Sequence, residues 1–235
     1  MPCDEAVRIA GGSNVLVHLR PAPVVARVMT GTAFLHDDPA RWLAREVAVG
    51  TFLAGTGLIV PPTDLLPPGP HERGGLWMTL WRFVPHDEQA PPPAPRELGE
   101  SLRALHEALA GYPGDLAPLS GIRDWLVRLT GADDSLRARL DALTPTVFES
   151  SLPVQALHGD VSIGNLLRTS DGLLWNDLED VCAGPVEWDV AGLVASARAR
   201  DEILAGYGEV ERLEPFLEAH ELYAVIWKAF AAQHR

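Results

Sequence analysis

The stretch "LHGDVSIGNLLRTSDGLLWNDLED", residues 157–180, decides how the rest of the chain is read. An extended run, "VQAL" (154–157), ends at His158-Gly159-Asp160 and sets Asp160 on a loop. "LLRT" and "GLLW" are short apolar runs divided by Ser170-Asp171-Gly172, the punctuation of a β-hairpin. Asn165 enters the first strand and Asp177 leaves the second, so the hairpin is expected to return them to one end. An amide carbonyl and a carboxylate are the oxygen ligands a hard cation such as Mg²⁺ takes, with substrate phosphates completing its shell. Asp160, just ahead of that pair, is placed to accept a proton from an attacking hydroxyl. One carboxylate orienting a nucleophile while others hold metal against phosphate charge is the division of labour of phosphoryl transfer.

Around this island the two halves of the chain differ. Downstream and upstream of it the second half reads as helical, at 98–112, 122–131, 133–143, 187–199 and 214–235. The first 85 residues read mostly as strands: "VLVHL" (15–19), "VVARV" (24–28), "LIVPP" (58–62) and "LWMTLWRFV" (76–84). One helix interrupts them over 37–57, with Asp38 as cap, Pro39 at its first position and Gly55 to Gly57 as its stop. A glycine pair in "AGGSN" (10–14) suits either a tight turn or close approach of backbone to a ligand. The Pro-rich segment "PHDEQAPPPAPRE" (85–97) marks a boundary. No internal repeat is present.

Composition narrows the classes of function. The 235 residues hold 19 basic and 32 acidic side chains, a net charge of −13, which disfavours nucleic acid and anionic membrane as partners. Such a charge suits a cationic small molecule, or serves solubility alone. No apolar run is long enough for a membrane span, and the first ten residues carry early acids rather than an apolar signal core. The two cysteines, Cys3 and Cys182, have neither metal-ligand spacing nor a disulfide framework. A cytoplasmic protein, monomeric or homodimeric, is expected.

"HGDVSIGN" followed by "NDLED" resembles the catalytic loop and metal-binding segment of the aminoglycoside phosphotransferase and choline kinase families, small-molecule relatives of the protein kinases. The downstream "GPVEWDVAGL" (184–193) resembles the segment that packs beneath that loop. The resemblance implies an α+β, bilobal protein-kinase-like fold: a small β-rich N-lobe (1–84) with one helix, then a larger mainly α-helical C-lobe (85–235) carrying the catalytic hairpin, with a hinge about 81–88. It implies Asp160 as catalytic base, Asn165 and Asp177 as metal ligands, His158 as the histidine that braces the loop, and Asp189 as the group that holds it. In the N-lobe it implies a phosphate loop at Gly11, Gly12 and Ser13, a cation at Arg27 paired with Glu46, and adenine contacts around Trp81 and Phe83. The cation departs from the family's usual lysine, since the sole lysine is Lys228; an arginine there can still clamp phosphates. Glu179 and Asp180 either line a substrate site or face solvent, and Glu214, Glu218 and Glu221 read as a solvated helix face.

The expected activity is that of an ATP-dependent, or alternatively GTP-dependent, small-molecule kinase using Mg²⁺. It would transfer the γ-phosphoryl group to a hydroxyl of an aminoglycoside-like or other cationic amino-alcohol, with antibiotic resistance as one outcome. Two readings compete with it: a nucleotide-binding pseudoenzyme or regulatory module without turnover, and a metal-dependent hydrolase using the same acids on water.

Overall fold

In the computed structural model, which describes residues 3–11, 14–31, 37–86, 89–131 and 133–233, the first half is organised on β3 (Val24–Met29). Its sequence, VVARVM, is apolar at every position but Arg27, and every residue except Val28 is buried, as a run enclosed on both faces requires. It is the central strand of an antiparallel sheet in the order β1-β2-β3-β5-β4, with β1 at Cys3–Gly11, β2 at Val15–Pro21, β4 at His71–Arg73 and β5 at Leu76–Arg82. The register sets Arg27 opposite Leu16 on one side and Thr79 on the other.

Helix α1 (Pro39–Leu53) starts where its sequence indicates: Pro39 occupies the first turn, and the Asp38 side chain accepts from the Arg41 N–H at 3.1 Å. Its buried face carries Leu43, Glu46, Val47, Val49, Gly50 and Leu53. At Gly50 a Cβ would stand 2.9 Å from the Trp81 ring, so the helix approaches β5 closely only because that side chain is absent.

Two strands went unforeseen. β1 is an exposed edge strand rich in charge, and β4 lies within the Pro/Gly-rich loop. Conversely, "LIVPP" forms no strand, because Pro61 and Pro62 cannot donate to a ladder. Ile59 and Pro62 make only isolated bridges, to Trp175 and Trp81.

The hairpin forms as expected, β7 (Leu166–Thr169) pairing with β8 (Gly172–Trp175) across Ser170 and Asp171. By its contacts it groups with the first half of the chain rather than the second: one unit comprises Met1–Pro91 with Leu166–Glu179, the other Pro92–Asn165 with Asp180–Arg235. The wholly buried Trp175 secures it there. Its N–H donates to Leu58 O at 2.9 Å, and its carbonyl accepts from the Val60 N–H at 2.8 Å.

The second unit is mainly helical: α2 (Pro95–Leu109), α3 (Ser120–Thr130), α4 (Asp134–Leu143), α5 (Glu187–Ala197), α6 (Arg200–Tyr207) and α7 (Leu213–Gln233). A two-stranded antiparallel ribbon of β6 (Gln155–Leu157) and β9 (Cys182–Gly184) accompanies them. Helix α6 was missed because it is short and holds a glycine. That glycine has a packing reason. A Cβ at Gly206 would lie 2.1 Å from Arg96 O, and one at Gly99 would lie 2.1 Å from Ile203 O, so α2 and α6 meet backbone to backbone. Helix α5 is buried from Glu187 to Val194 and forms the centre of this unit.

Candidate active site

In the second unit the segment His158-Gly159-Asp160 leaves β6 through a turn that only glycine permits. Gly159 has φ 88°, and a Cβ there would overlap Asp180 O at 1.9 Å. The turn is anchored from α5. Asp189 Oδ2 accepts the His158 N–H at 2.8 Å, Asp189 Oδ1 accepts the Gly159 N–H at 3.0 Å, and Trp188 Nε1 donates to Gly159 O at 2.7 Å.

Asp189 is wholly buried, and burial alone would raise its pKa. The hydrogen bond and charge of His106, helped by His158, outweigh that and hold the carboxyl below its usual range. His106 Nε2 lies 3.0 Å from Asp189 Oδ2, and its Nδ1 lies 2.7 Å from the Tyr207 hydroxyl. Burial pushes the Tyr207 hydroxyl well above its ordinary value, with the charges of Asp189, Glu187 and Glu107 acting in the same direction. The Tyr207 hydroxyl at Nδ1 and the Asp189 carboxylate at Nε2 together fix the plane of the His106 ring. Three helices, α2, α5 and α6, thereby hold one loop.

On that loop His158 is fully buried, and its Nδ1 accepts the Asp160 N–H at 3.4 Å. Asp160 is half-buried, and Asn165 Nδ2 donates to both its carbonyl (2.8 Å) and its Oδ2 (2.9 Å). The Asn165 nitrogen is therefore committed to Asp160, which leaves its carbonyl oxygen for a cation. Beneath, His220 Nε2 donates to Trp188 O at 2.9 Å. Burial is the main influence on His220 and pulls its pKa down to about 4, so the ring is neutral and carries that proton as a donor.

The first unit gathers a cation and three acids. Arg27 is buried on β3; its Nη1 reaches Glu46 Oε2 on α1 at 3.2 Å, and its Nη2 contacts Glu179 Oε2 and stands 3.0 Å from Asp177 Oδ1. Asp177 has φ 61°, the left-handed conformation that Asp tolerates better than most residues. Its Oδ1 is buried and makes no hydrogen bond; Arg27 offers it charge at 3.0 Å but not a directed N–H. A carboxylate oxygen with no directed hydrogen bond is the kind of hard donor that Mg²⁺ takes. Among the described residues no group of three or more His, Cys, Asp or Glu side chains is arranged to hold a metal ion by itself. Burial pushes Glu46 up to about 8, against the pull of Arg27, while Glu179 and Asp177 add to the rise.

Other expected positions stand differently. Gly12 and Ser13 lie outside the described residues, and Gly11 closes β1 opposite Val15. Trp81 and Phe83, expected around an adenine, lie in β5 and just after it. The Trp81 ring is buried against Gly50 and donates through Nε1 to Thr79 Oγ1 at 2.8 Å. The N–H groups of Leu80 and Arg82 serve the 61–68 loop, so that of Trp81, opposite Val25, turns into the sheet. The Phe83 N–H is spent on Pro23 O at 2.9 Å, and its ring stacks on His18 at 3.8 Å. Both N–H groups are thus used within the first unit. Glu179, left undecided between substrate site and solvent, is buried and belongs with Arg27.

Residues 7–220 match the model of the phosphotransferase enzyme family. Among solved structures, the GDP and kanamycin complex of APH(2")-IIia superposes with a TM-score of 0.70 at 16% identity, over 97% of this chain and 85% of that one. Choline kinase LicA from Streptococcus pneumoniae gives 0.68 at 14% identity, over 99% and 87% of the two chains. Amicoumacin kinase hAmiN, in complex with AMP-PNP, Ca²⁺ and Ami, gives 0.66 at 12% identity, over 97% and 72%. At these identities the likeness is one of fold: an antiparallel β-rich N-terminal part and a helical C-terminal part, the protein-kinase-like arrangement. No described helix is long and apolar enough to cross a membrane.

Proposed function

The chain belongs to the phosphotransferase enzyme family, and we propose that it transfers the γ-phosphoryl group of ATP or GTP to a hydroxyl of a small, cationic amino-alcohol. The observation that carries this reading is the Asp160 loop. A half-buried carboxylate is steadied by Asn165 and mounted on a turn that Asp189, Trp188 and Gly159 hold in place. In that role Asp160 orients the acceptor hydroxyl and takes its proton as the bond to phosphorus forms. His158, whose ring nitrogen accepts the Asp160 N–H, acts as a brace rather than on substrate. Asn165 and Asp177 would hold Mg²⁺, which when bound offsets charge on the phosphates. Arg27 contributes a fixed positive charge toward the same phosphates, with Glu46 behind it.

Support for the donor comes from the company the fold keeps, since GDP is bound in one similar structure and AMP-PNP with Ca²⁺ in another. Kanamycin and Ami in those complexes, with the net charge of −13 here, support a cationic acceptor. The test is a screen for nucleoside diphosphate release, with ATP and GTP as donors, across aminoglycosides, other antibiotics, choline-like alcohols and sugars. Release that depends on a cationic amino-alcohol is the expected result; release equal without any acceptor would instead mark hydrolysis.

A further inference from the structure

Arg27 poses a problem that its role as phosphate cation does not solve. A guanidinium carries its charge over a planar fork, and a buried fork facing one acid is held at only one tine. Here both tines are held. Nη1 meets Glu46 at 3.2 Å, and Nη2 lies against Glu179 with Asp177 at 3.0 Å. A lysine has one nitrogen and could not occupy both places.

Glu179 is itself fixed from several directions within the same unit. Its Oε2 also accepts Asn14 Nδ2 at 2.8 Å, and Asn14 Oδ1 in turn accepts the Thr30 N–H at 3.0 Å. Its main-chain carbonyl accepts Arg45 Nη2, on α1, at 3.3 Å. Asn14 opens the turn into β2 directly after the Gly11–Ser13 segment, and Thr30 follows β3. Through its carboxylate and its main-chain carbonyl, Glu179 thus ties the start of β2, the end of β3, α1 and the segment that carries Asp177.

We infer that Glu179 is a positioning residue for phosphoryl transfer: it sets the second arm of Arg27, and the Arg27–Glu179 pair does together what a lysine paired with one helix acid does alone. Glu179 is not assigned contact with substrate; it acts through the angle at which Arg27 presents its charge. This role rests on the phosphotransferase reading above, since it has meaning only if Arg27 meets nucleotide phosphates.

The test uses the full chain and the variants E179Q, E179D, R27K and R27K/E179Q, with steady-state kinetics against Mg-nucleotide and against an acceptor found by the screen. For E179Q, which keeps shape and loses charge, the nucleotide KM is expected to rise about tenfold while the acceptor KM stays within about twofold. E179D keeps the charge and should lie nearer the wild type. R27K should weaken nucleotide use on its own, and the double variant should be little worse than either single one, because the two side chains act as a unit. A uniform fall in kcat with both KM values unchanged and a lower melting temperature would mean that Glu179 only supports the fold, and would overturn the proposal. Additive effects in the double variant would overturn it too. If E179Q does not fold, R27K carries the decision, since a lysine that left the nucleotide KM unchanged would show that the second arm set by Glu179 is not needed and would sink the proposal. A wild-type chain without nucleotide-dependent transfer would remove the phosphotransferase reading and this role together, whereas wild-type turnover beside unaffected variants removes this role alone.

Discussion

Asp160, Asp177 and His220 illustrate how much of this protein rests on single side chains whose surroundings define their work. Replacing Asp160 by Ala should lower kcat by roughly 10²–10⁴-fold, the range for a lost general base. Nucleotide binding, read by thermal shift with Mg-ATP, should stay near the wild-type level, and near-normal turnover would refute the assignment. Asp177→Asn keeps a residue that tolerates φ 61° while removing the charge of a carboxylate. It should fold normally yet need far more Mg²⁺ for activity, which a metal titration checks. His220 gives the pH dependence. Its pKa is about 4 in the folded chain against 6.5 ordinarily, so between those values the unfolded chain binds more protons. Stability is therefore intact above pH 6.5 and lost as pH falls toward 4. The loss is about 2 kcal/mol once solvent reaching the ring edge is allowed for. Denaturant midpoints should show a shallower acid loss for His220→Gln, whose amide can still donate to Trp188 O.

At the scale of elements, the crossing of α2 and α6 and the hairpin β7–β8 are the two junctions that a small change would break. At Gly99 and Gly206 a methyl group has nowhere to go, and Ala at either position should cost about 2–3 kcal/mol through forced separation of the helices. A fall in melting temperature of several degrees would check it. Losing this crossing should also loosen Tyr207 and His106, so activity should decline at temperatures where the chain is still folded. The hairpin and most helices were legible in the sequence because their signals are local: two apolar runs around Ser-Asp-Gly, a Pro after a capping Asp, leucines at helical spacing. Strand β1 was not, since its charged residues face solvent at the sheet edge and its alternation is weak. Nor was the use of Glu179. Its partners Arg27 and Asn14 lie 152 and 165 positions away, and nothing around position 179 announces a buried acid. The pairing of Arg27 with Glu46, by contrast, could be expected, and the two stand 3.2 Å apart.

For the whole molecule the net charge of −13 bears on the acceptor rather than on the fold. A multiply charged cationic acceptor should show a KM that rises with ionic strength, while a neutral sugar acceptor should show little change. Equal salt dependence for both would separate the charge from substrate choice and leave it to solubility. The family match over residues 7–220 and the shared fold bound the chemistry to phosphotransfer, and they leave the acceptor to be found by experiment.

The placement of the β7–β8 hairpin has a consequence for how the protein is made. The strands β1 to β5 leave the ribosome early, yet Trp175, which bridges Leu58 and Val60, follows much later. Until residue 179 has been synthesised, the N-terminal unit lacks a segment of its own interior, and the helices α2 to α4 emerge while it waits. Neither unit is thus a piece of chain that a single genetic exchange could transplant between proteins. A nascent chain stalled before residue 166 should expose the face that Trp175 covers and be cut there by protease.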